Sequence, residues 1–262
     1  MKKILLSLLS IILITSQAWA GWKIIIHQNE DGQQDIITYY ITKNTVKIST
    51  SNFDFIYAKA DRQIIILNNK TKSYYQTSLI EYKKDLKHLN RVDYRSADAA
   101  LPKSFLLRFD DLLSQHIQTD EEENNQVTPS LRVENANNDK NIANFEATEY
   151  DTYFNTALIE RIWLSQDVNV SNEMDIMEVL NFFRGHEKTR LRHSMSLDTQ
   201  EYEQLLYRGF PMKIINYDNL GFEVYSYEVV LAQELEFIGD NIFSVPNSYQ
   251  SRTLTDLILA KD

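Results

Sequence analysis

The chain has 262 residues, 43% of them hydrophobic, and a formal net charge of −10. It contains 0 cysteines, so disulfides, thiol nucleophiles, cysteine-zinc sites and the lipidated cysteine of a bacterial lipoprotein are all excluded. The acidic balance repels phosphate backbones and anionic headgroups, which argues against nucleic-acid binding and against electrostatic docking to a membrane.

In chain order, Lys2 and Lys3 precede an apolar run from Ile4 to Ile14, and Ala18 and Ala20 place small side chains where a signal peptidase cuts. Residues 1–20 therefore read as a cleavable signal peptide, with Gly21 opening a mature, exported chain. An uncleaved N-terminal anchor is the alternative, and the apolar run is short for a span of about 20 residues. No later stretch is apolar enough to cross a bilayer as a helix. The expected compartment is the periplasm, with secretion beyond the outer membrane left open.

The mature chain reads as one β-rich domain. Trp22, Ile24 and Ile26 alternate with Lys23, Ile25 and His27, and Ile36–Ile41 is β-branched and aromatic. Val46 and Ile48 alternate with polar residues, as do Phe53, Phe55 and Tyr57. Ile64–Leu67 is apolar throughout, and Ser73–Thr77 closes the set. Turn formers separate these runs at roughly ten-residue spacing, the pattern of an antiparallel meander. Glycine is scarce, so Asn is expected at left-handed turn positions.

Ser78 with Glu81 then predicts a capped helix bearing Leu79, Tyr82, Leu86 and Leu89 on one face. Pro102 suits the start of another, with Phe105, Phe109, Leu112, Leu113 and His116 in one stripe. Residues 119–141 read as a polar loop, with a short strand at most over Leu131–Glu134. The acid run Asp120–Glu123 lacks the alternating ligands and glycine turn of a calcium loop.

Strands are predicted again over Phe145–Phe154 and Leu158–Leu164, followed by a helix around Met174–Phe183. Asp198 with Glu201 predicts a second capping box, Tyr202, Leu205 and Leu206 its apolar face, and Gly209 its C-terminal cap. Met212–Tyr217 and Phe222–Leu231 form a hairpin, and Phe243–Val245 a last short strand. Strands interrupted by helices fit an α+β fold with helices covering one face of an antiparallel sheet.

No catalytic signature is present. The five histidines make no HExxH, and there is no GxSxG, SxxK or phosphate-cradling glycine loop. His186 and His193 flank a basic stretch, which is either a solvated cationic loop or an anion-binding patch. No cofactor and no metal are expected, and an enzyme is not, although a hydrolase without a motif stays open.

Several blocks carry a resemblance. They are Tyr39-Tyr40-Ile41 with Val46-Lys47-Ile48, the run Ile64 to Tyr75, Phe145 to Tyr150, Ile162-Trp163-Leu164-Ser165, Gly209-Phe210-Pro211 and Phe243 to Tyr249. In this order they resemble a family of secreted bacterial proteins known as a domain of unknown function, related in fold to the half-barrel lipoprotein carriers of the periplasm. The chain departs from that family in having Asn144 where glycine is usual and in lacking the cysteine that often follows. The resemblance implies a strongly curved antiparallel sheet with amphipathic helices on its concave face and a cavity for acyl chains. On that basis the candidate apolar lining is Phe53, Phe55, Tyr57, Phe105, Phe109 and Trp163. Two functions follow as expectations: a binding protein for a lipid-like or lipopeptide ligand, or a cell-envelope protein-interaction or scaffold module.

Overall fold

The computed structural model describes residues 19–30, 32–89, 131–170, 173, 199–218 and 220–259. The apolar leader ahead of Trp19, the helices expected around Phe105–His116 and Met174–Phe183, the acid run Asp120–Glu123 and the basic stretch between His186 and His193 lie outside the described residues.

Among the described residues the chain forms β1 (Trp19–Glu30), β2 (Gln33–Thr42), β3 (Thr45–Ser49), β4 (Phe53–Ala58), β5 (Gln63–Asn68), β6 (Ser73–Ser78), helix α1 (Leu79–Leu89), β7 (Leu131–Ile142), β8 (Phe145–Phe154) and β9 (Ala157–Ser165). Helix α2 (Gln200–Leu206), β10 (Phe210–Tyr217), β11 (Glu223–Ile238), a 3-10 turn (Asp240–Phe243), β12 (Gln250–Ser251) and helix α3 (Leu254–Leu259) follow. The strands make one 12-stranded sheet in the order β12-β6-β5-β4-β3-β2-β1-β11-β10-β9-β8-β7. Every pairing is antiparallel except the short parallel one of β12 with β6, so the sheet is mixed. β7 also lies against β11, although three strands separate them in the sheet. That half of the sheet therefore curls back on itself, while the sheet as a whole stays open.

The alternation read in the sequence becomes a register. Ala232, Ile24, Tyr39, Ile48, Phe55, Ile66 and Tyr75 stand opposite one another on successive strands. All are buried. Because side chains alternate across a strand, this single row commits every second residue of each strand to the same inner face. Tyr227, Ile214 and Ile162 continue that face beyond β11. Lys23, Tyr40, Lys47 and Ile56 form the corresponding row of the outer face.

Each of the three described helices is hydrogen-bonded to an inner-face residue. Ser78 Oγ accepts the Glu81 N–H at 3.3 Å, half of the expected capping box, and Tyr75 on β6 donates its hydroxyl proton to Asp85 of α1. The α2 apolar face is Tyr202, Leu205 and Leu206, all buried, and the Tyr202 hydroxyl donates to Glu160 on β9. Thr199 Oγ1 accepts the Tyr202 N–H at 3.3 Å, and Asp198, expected to open the capping box, lies outside the described residues. On α3, Asn68 of β5 donates to the Leu257 carbonyl at 3.3 Å, and Thr253 Oγ1 accepts the Asp256 N–H at 3.1 Å.

The C-terminal segment is a strap. After β11, Lys47 on the outer face donates to the Ile242 carbonyl at 3.0 Å, and the Tyr249 hydroxyl donates to Asn69 at 2.8 Å. β12 then joins β6, and α3 buries Leu254, Leu257 and Ile258 on the opposite face. The strap thus passes from one side of the sheet to the other around the β6 edge. The expected strand over Phe243–Val245 does not form: the 3-10 turn ends at Phe243, and the segment lies across β3 without joining the sheet.

Residues 131–141 form most of strand β7 and not the expected loop. A bulge between Asn135 and Asp139, with Asn137 at φ 50°, absorbs the polar run without ending the pairing to β8. Ala143 and Asn144 both have positive φ in the two-residue turn between Ile142 and Phe145, the type I′ geometry that tight hairpins favour. Asn therefore serves there and at Asn155, but Arg62 and Lys72 take left-handed positions as well.

Gly209 has no left-handed φ and is not an αL cap. Its place is dictated by crowding: a Cβ there would lie 2.6 Å from the Ser165 carbonyl oxygen. Ser165 is held by its pairing with Phe210, so neither backbone can retreat. Gly209→Ala is expected to destabilise the fold by about 1–3 kcal/mol, read as a lower urea midpoint at unchanged m-value.

Burial raises the pKa of Tyr75, and the hydrogen bond to Asp85 raises it further. The unfolded tyrosine ionises at about 10 while the folded one does not. This contribution to stability is therefore complete below that pH and lost as pH climbs above it. Tyr75→Phe should flatten the loss of thermal stability between neutral and strongly alkaline pH.

Candidate functional site

The aromatic candidates do not converge. Phe53 and Phe55 are 0% exposed on the inner face, Phe55 between Ile48 and Ile66 and Phe53 beside Asn68. Tyr57, half-buried, ends that row between Val46 and Ile64. Phe105 and Phe109 lie outside the described residues. Trp163 is 2% exposed, but its neighbours across β8 and β10 are Glu149 and Lys213, so it points to the outer face. In Ile162-Trp163-Leu164 three apolar residues run together, and the sequence shows no alternation from which to assign a face.

The outer face instead carries a polar groove of about 850 Å³ at the meeting of β1, β2, β3, β10 and β11. β1 contributes His27 and Asn29, and β2 contributes Gln34, Ile36 and Thr38. Register brings these together, since Asn29 lies opposite both Gln34 and Ser226, and His27 opposite both Ile36 and Glu228. Ser49, Thr50 and Ser51 form one wall where β3 turns into β4. Lys213, Ile215, Glu223, Ser226 and Glu228 form the other.

Several polar side chains at the groove are hydrogen-bonded within the chain. Lys213 donates to Glu228, and Ser226 donates to Glu223 at 2.6 Å. Asp35 Oδ1 accepts the Ile36 N–H at 2.8 Å. Asn29 Oδ1 is buried and has no hydrogen-bond partner among the described residues. Ile36, 56% exposed, is the apolar part that faces solvent.

Beyond Lys213 the outer face continues as a charged network. The Lys213 and Lys140 ammonium groups stand 5.6 Å and 4.9 Å from the centre of the Trp163 ring. Arg161 lies 2.9 Å from Glu149 and 2.8 Å from Asp151, and the Asp151 hydrogen bond holds its guanidinium above the usual range. Asn138 Nδ2, from the β7 bulge, donates to Glu149. Burial pushes up the pKa of Tyr217, while Arg161 opposes that shift. This network ties down the curled half of the sheet beside the groove.

A tip stands over the same end of the sheet. In the β10–β11 turn, Asp218 Oδ1 accepts the N–H groups of Leu220 and Phe222 at 2.8 and 2.9 Å, and Gly221 sits at φ +82°. Leu220 and Phe222 are 81% and 66% exposed.

Among the described residues no group of three or more His, Cys, Asp or Glu could hold a metal ion. No described helix is long and apolar enough to cross a membrane. The sequence reading missed the groove because its residues are ordinary outer-face polar side chains, separated by up to two hundred positions. The signal that existed was the polar half of the alternation in β1 and β2.

No family model matches the chain, and no curated protein matches it. Among solved structures, it is similar to an uncharacterised conserved protein from Thermus thermophilus, at TM-score 0.42 and 7% identity over 94% of this chain and 98% of that one. It is similar to MucB in complex with MucA(peri), at TM-score 0.40 and 8% identity, covering 90% of this chain and 57% of that one. A third likeness is to PNGF-II, at TM-score 0.35 and 8% identity, covering 91% of this chain and 32% of that one. The chain thus spans just over half of the MucB chain and a third of the PNGF-II chain, and no residue role passes from them to this chain.

Proposed function

We propose that this chain is an exported, periplasmic binding module of the cell envelope that docks a polypeptide partner in the outer-face groove. The observation that carries this reading is the groove itself, about 850 Å³, open to solvent and lined by groups that hydrogen-bond. The half-barrel expectation belongs to the same reading: a curled sheet with its helices inside leaves its outer face for docking.

The lipid-carrier reading draws on the inner aromatic row. Phe53 and Phe55 are already enclosed there by the protein's own side chains. An acyl chain would have to displace such contacts, whose burial is worth roughly 25 cal/mol per Å². The scaffold reading asks for no such rearrangement.

A photo-crosslinking amino acid at Thr38 in the groove, with Gln76 on β6 as the distant control, tests the proposal in the native envelope. The expected result is one discrete adduct at position 38, identified by mass spectrometry as a single polypeptide, and none at position 76. Absence of an adduct at 38, with stoichiometric acyl ligand in an organic extract of the purified protein, contradicts it.

A further inference from the structure

We infer that the far half of β11 is a second docking edge, which adds an extended polypeptide segment as a further strand, with lysine or arginine on one side of that segment and aliphatic residues on the other. This edge lies further along β11 than the groove and does not depend on the groove being occupied.

The backbone carries the first part of the argument. β11 runs for 16 residues, Glu223–Ile238, and β1 pairs with it as far as Ile238. On its other side β10 pairs only from Glu223 to Glu228, because β10 begins at Phe210. Among the described residues, 229–238 therefore have a paired strand on one side alone. β7 approaches β11 without pairing to it. The strap leaves from Ile238 towards β3, on the β1 side, and so turns away from the open edge. In an antiparallel strand every second residue turns its N–H and C=O to the same neighbour, so alternate residues here present a donor and an acceptor to an incoming strand. Gln233, Glu234, Glu236 and Phe237 are exposed and Leu235 is half-buried, which leaves room for one.

The side chains set what that strand must be. Glu234 shares a face with its β1 partner Trp22, and Glu236 follows two residues on. Neither is held in an ion pair among the described residues. Lys23, opposite Gln233, belongs to the other face. Leu231 and Leu235 share that other face, opposite Ile25 and Gly21, and Val230 and Phe237 add exposed apolar surface. Neighbouring strands match side chain to side chain across a face, so basic residues belong beside the glutamates and aliphatic ones beside the leucines. A second copy of this chain fits badly. Antiparallel pairing of two such edges about Leu235 sets Glu234 of one copy opposite Glu236 of the other, and like charges directly opposite are destabilising.

The experiment uses the full processed chain and a capped seven-residue peptide alternating valine with lysine, followed by fluorescence anisotropy and hydrogen–deuterium exchange. Saturable binding is expected, weakening as salt is raised, with amide exchange slowed in residues 230–238 and unchanged in β2 and β3. Two N-methylated forms, blocked at the valines or at the lysines, separate backbone pairing from charge alone. A strand added to an edge bonds through every second residue, so one form should bind at least about tenfold more weakly and the other nearly as well as the parent. Glu234→Lys combined with Glu236→Lys should weaken the parent peptide by about tenfold or more, while Asp61→Lys, exposed in the β4–β5 turn, should leave it unchanged.

No binding, equal loss with both methylated forms, protection confined to other segments, or equal binding of a valine–glutamate peptide overturns the inference. A dimer of the peptide-free protein in sedimentation, with residues 230–238 already protected, overturns it too by making a second copy the occupant. The Thr38 crosslink is unaffected by any of these outcomes, so the two docking sites stand or fall separately.

Discussion

The structure depends on one continuous line of apolar contact. Ala232, Ile24, Tyr39, Ile48, Phe55, Ile66 and Tyr75 meet across seven neighbouring strands. A shift of one residue in any of these pairings would send that strand's buried side chains to the outer face and bring residues such as Lys23, Lys47 and Asp54 inside. Burying an unpaired charge costs far more than a hairpin can return, so the register is fixed by both faces at once. The helices add to the same constraint. Tyr75, Glu160 and Asn68, each on the inner face, are the points at which α1, α2 and α3 attach.

Two devices finish what the row begins. On one side, the C-terminal strap crosses the outer face at Lys47 and Asn69, pairs with β6 and ends as a helix in the core. Lys47 is held there by Asp54 at 2.8 Å, so the strap docks on a pre-formed ion pair. On the other side, β7 returns to β11, and Arg161 bridges Glu149 and Asp151 across the strands of the curl. Between these two tied regions lies the stretch of outer face that nothing covers among the described residues, and the groove occupies it.

Much of this was legible in the sequence. Alternation in Trp22–Ile26 and Phe53–Tyr57 sorts their side chains into two faces but leaves open which one turns inward, and Tyr202, Leu205 and Leu206 mark the buried face of α2. Reading failed where local composition and tertiary context disagree. Residues 131–141 are polar because β7 is an edge strand with a bulge, and polarity alone suggests a loop. Gly209 looks like a cap, yet what it satisfies is a close approach to Ser165 that no local pattern encodes. Trp163 lies within an unbroken apolar triplet, so its outward direction depends on the pairing of β9 with β10. The groove was illegible for the same reason: its walls come from β1 to β3 and from β10 and β11, and only the sheet order brings them together.

The sheet has one dry face and one face that meets water. The chain has 0 cysteines, so single cysteines report on this directly. Introduced one at a time at Ile26, His27, Ile37, Thr38, Tyr39 and Tyr40, they should react with a maleimide in a period of two. Positions 27, 38 and 40 are expected to label rapidly in the folded protein, and positions 26, 37 and 39 only after unfolding. Uniform reactivity along these strands, or the opposite phase, would contradict the assignment of the two faces and remove the groove with it.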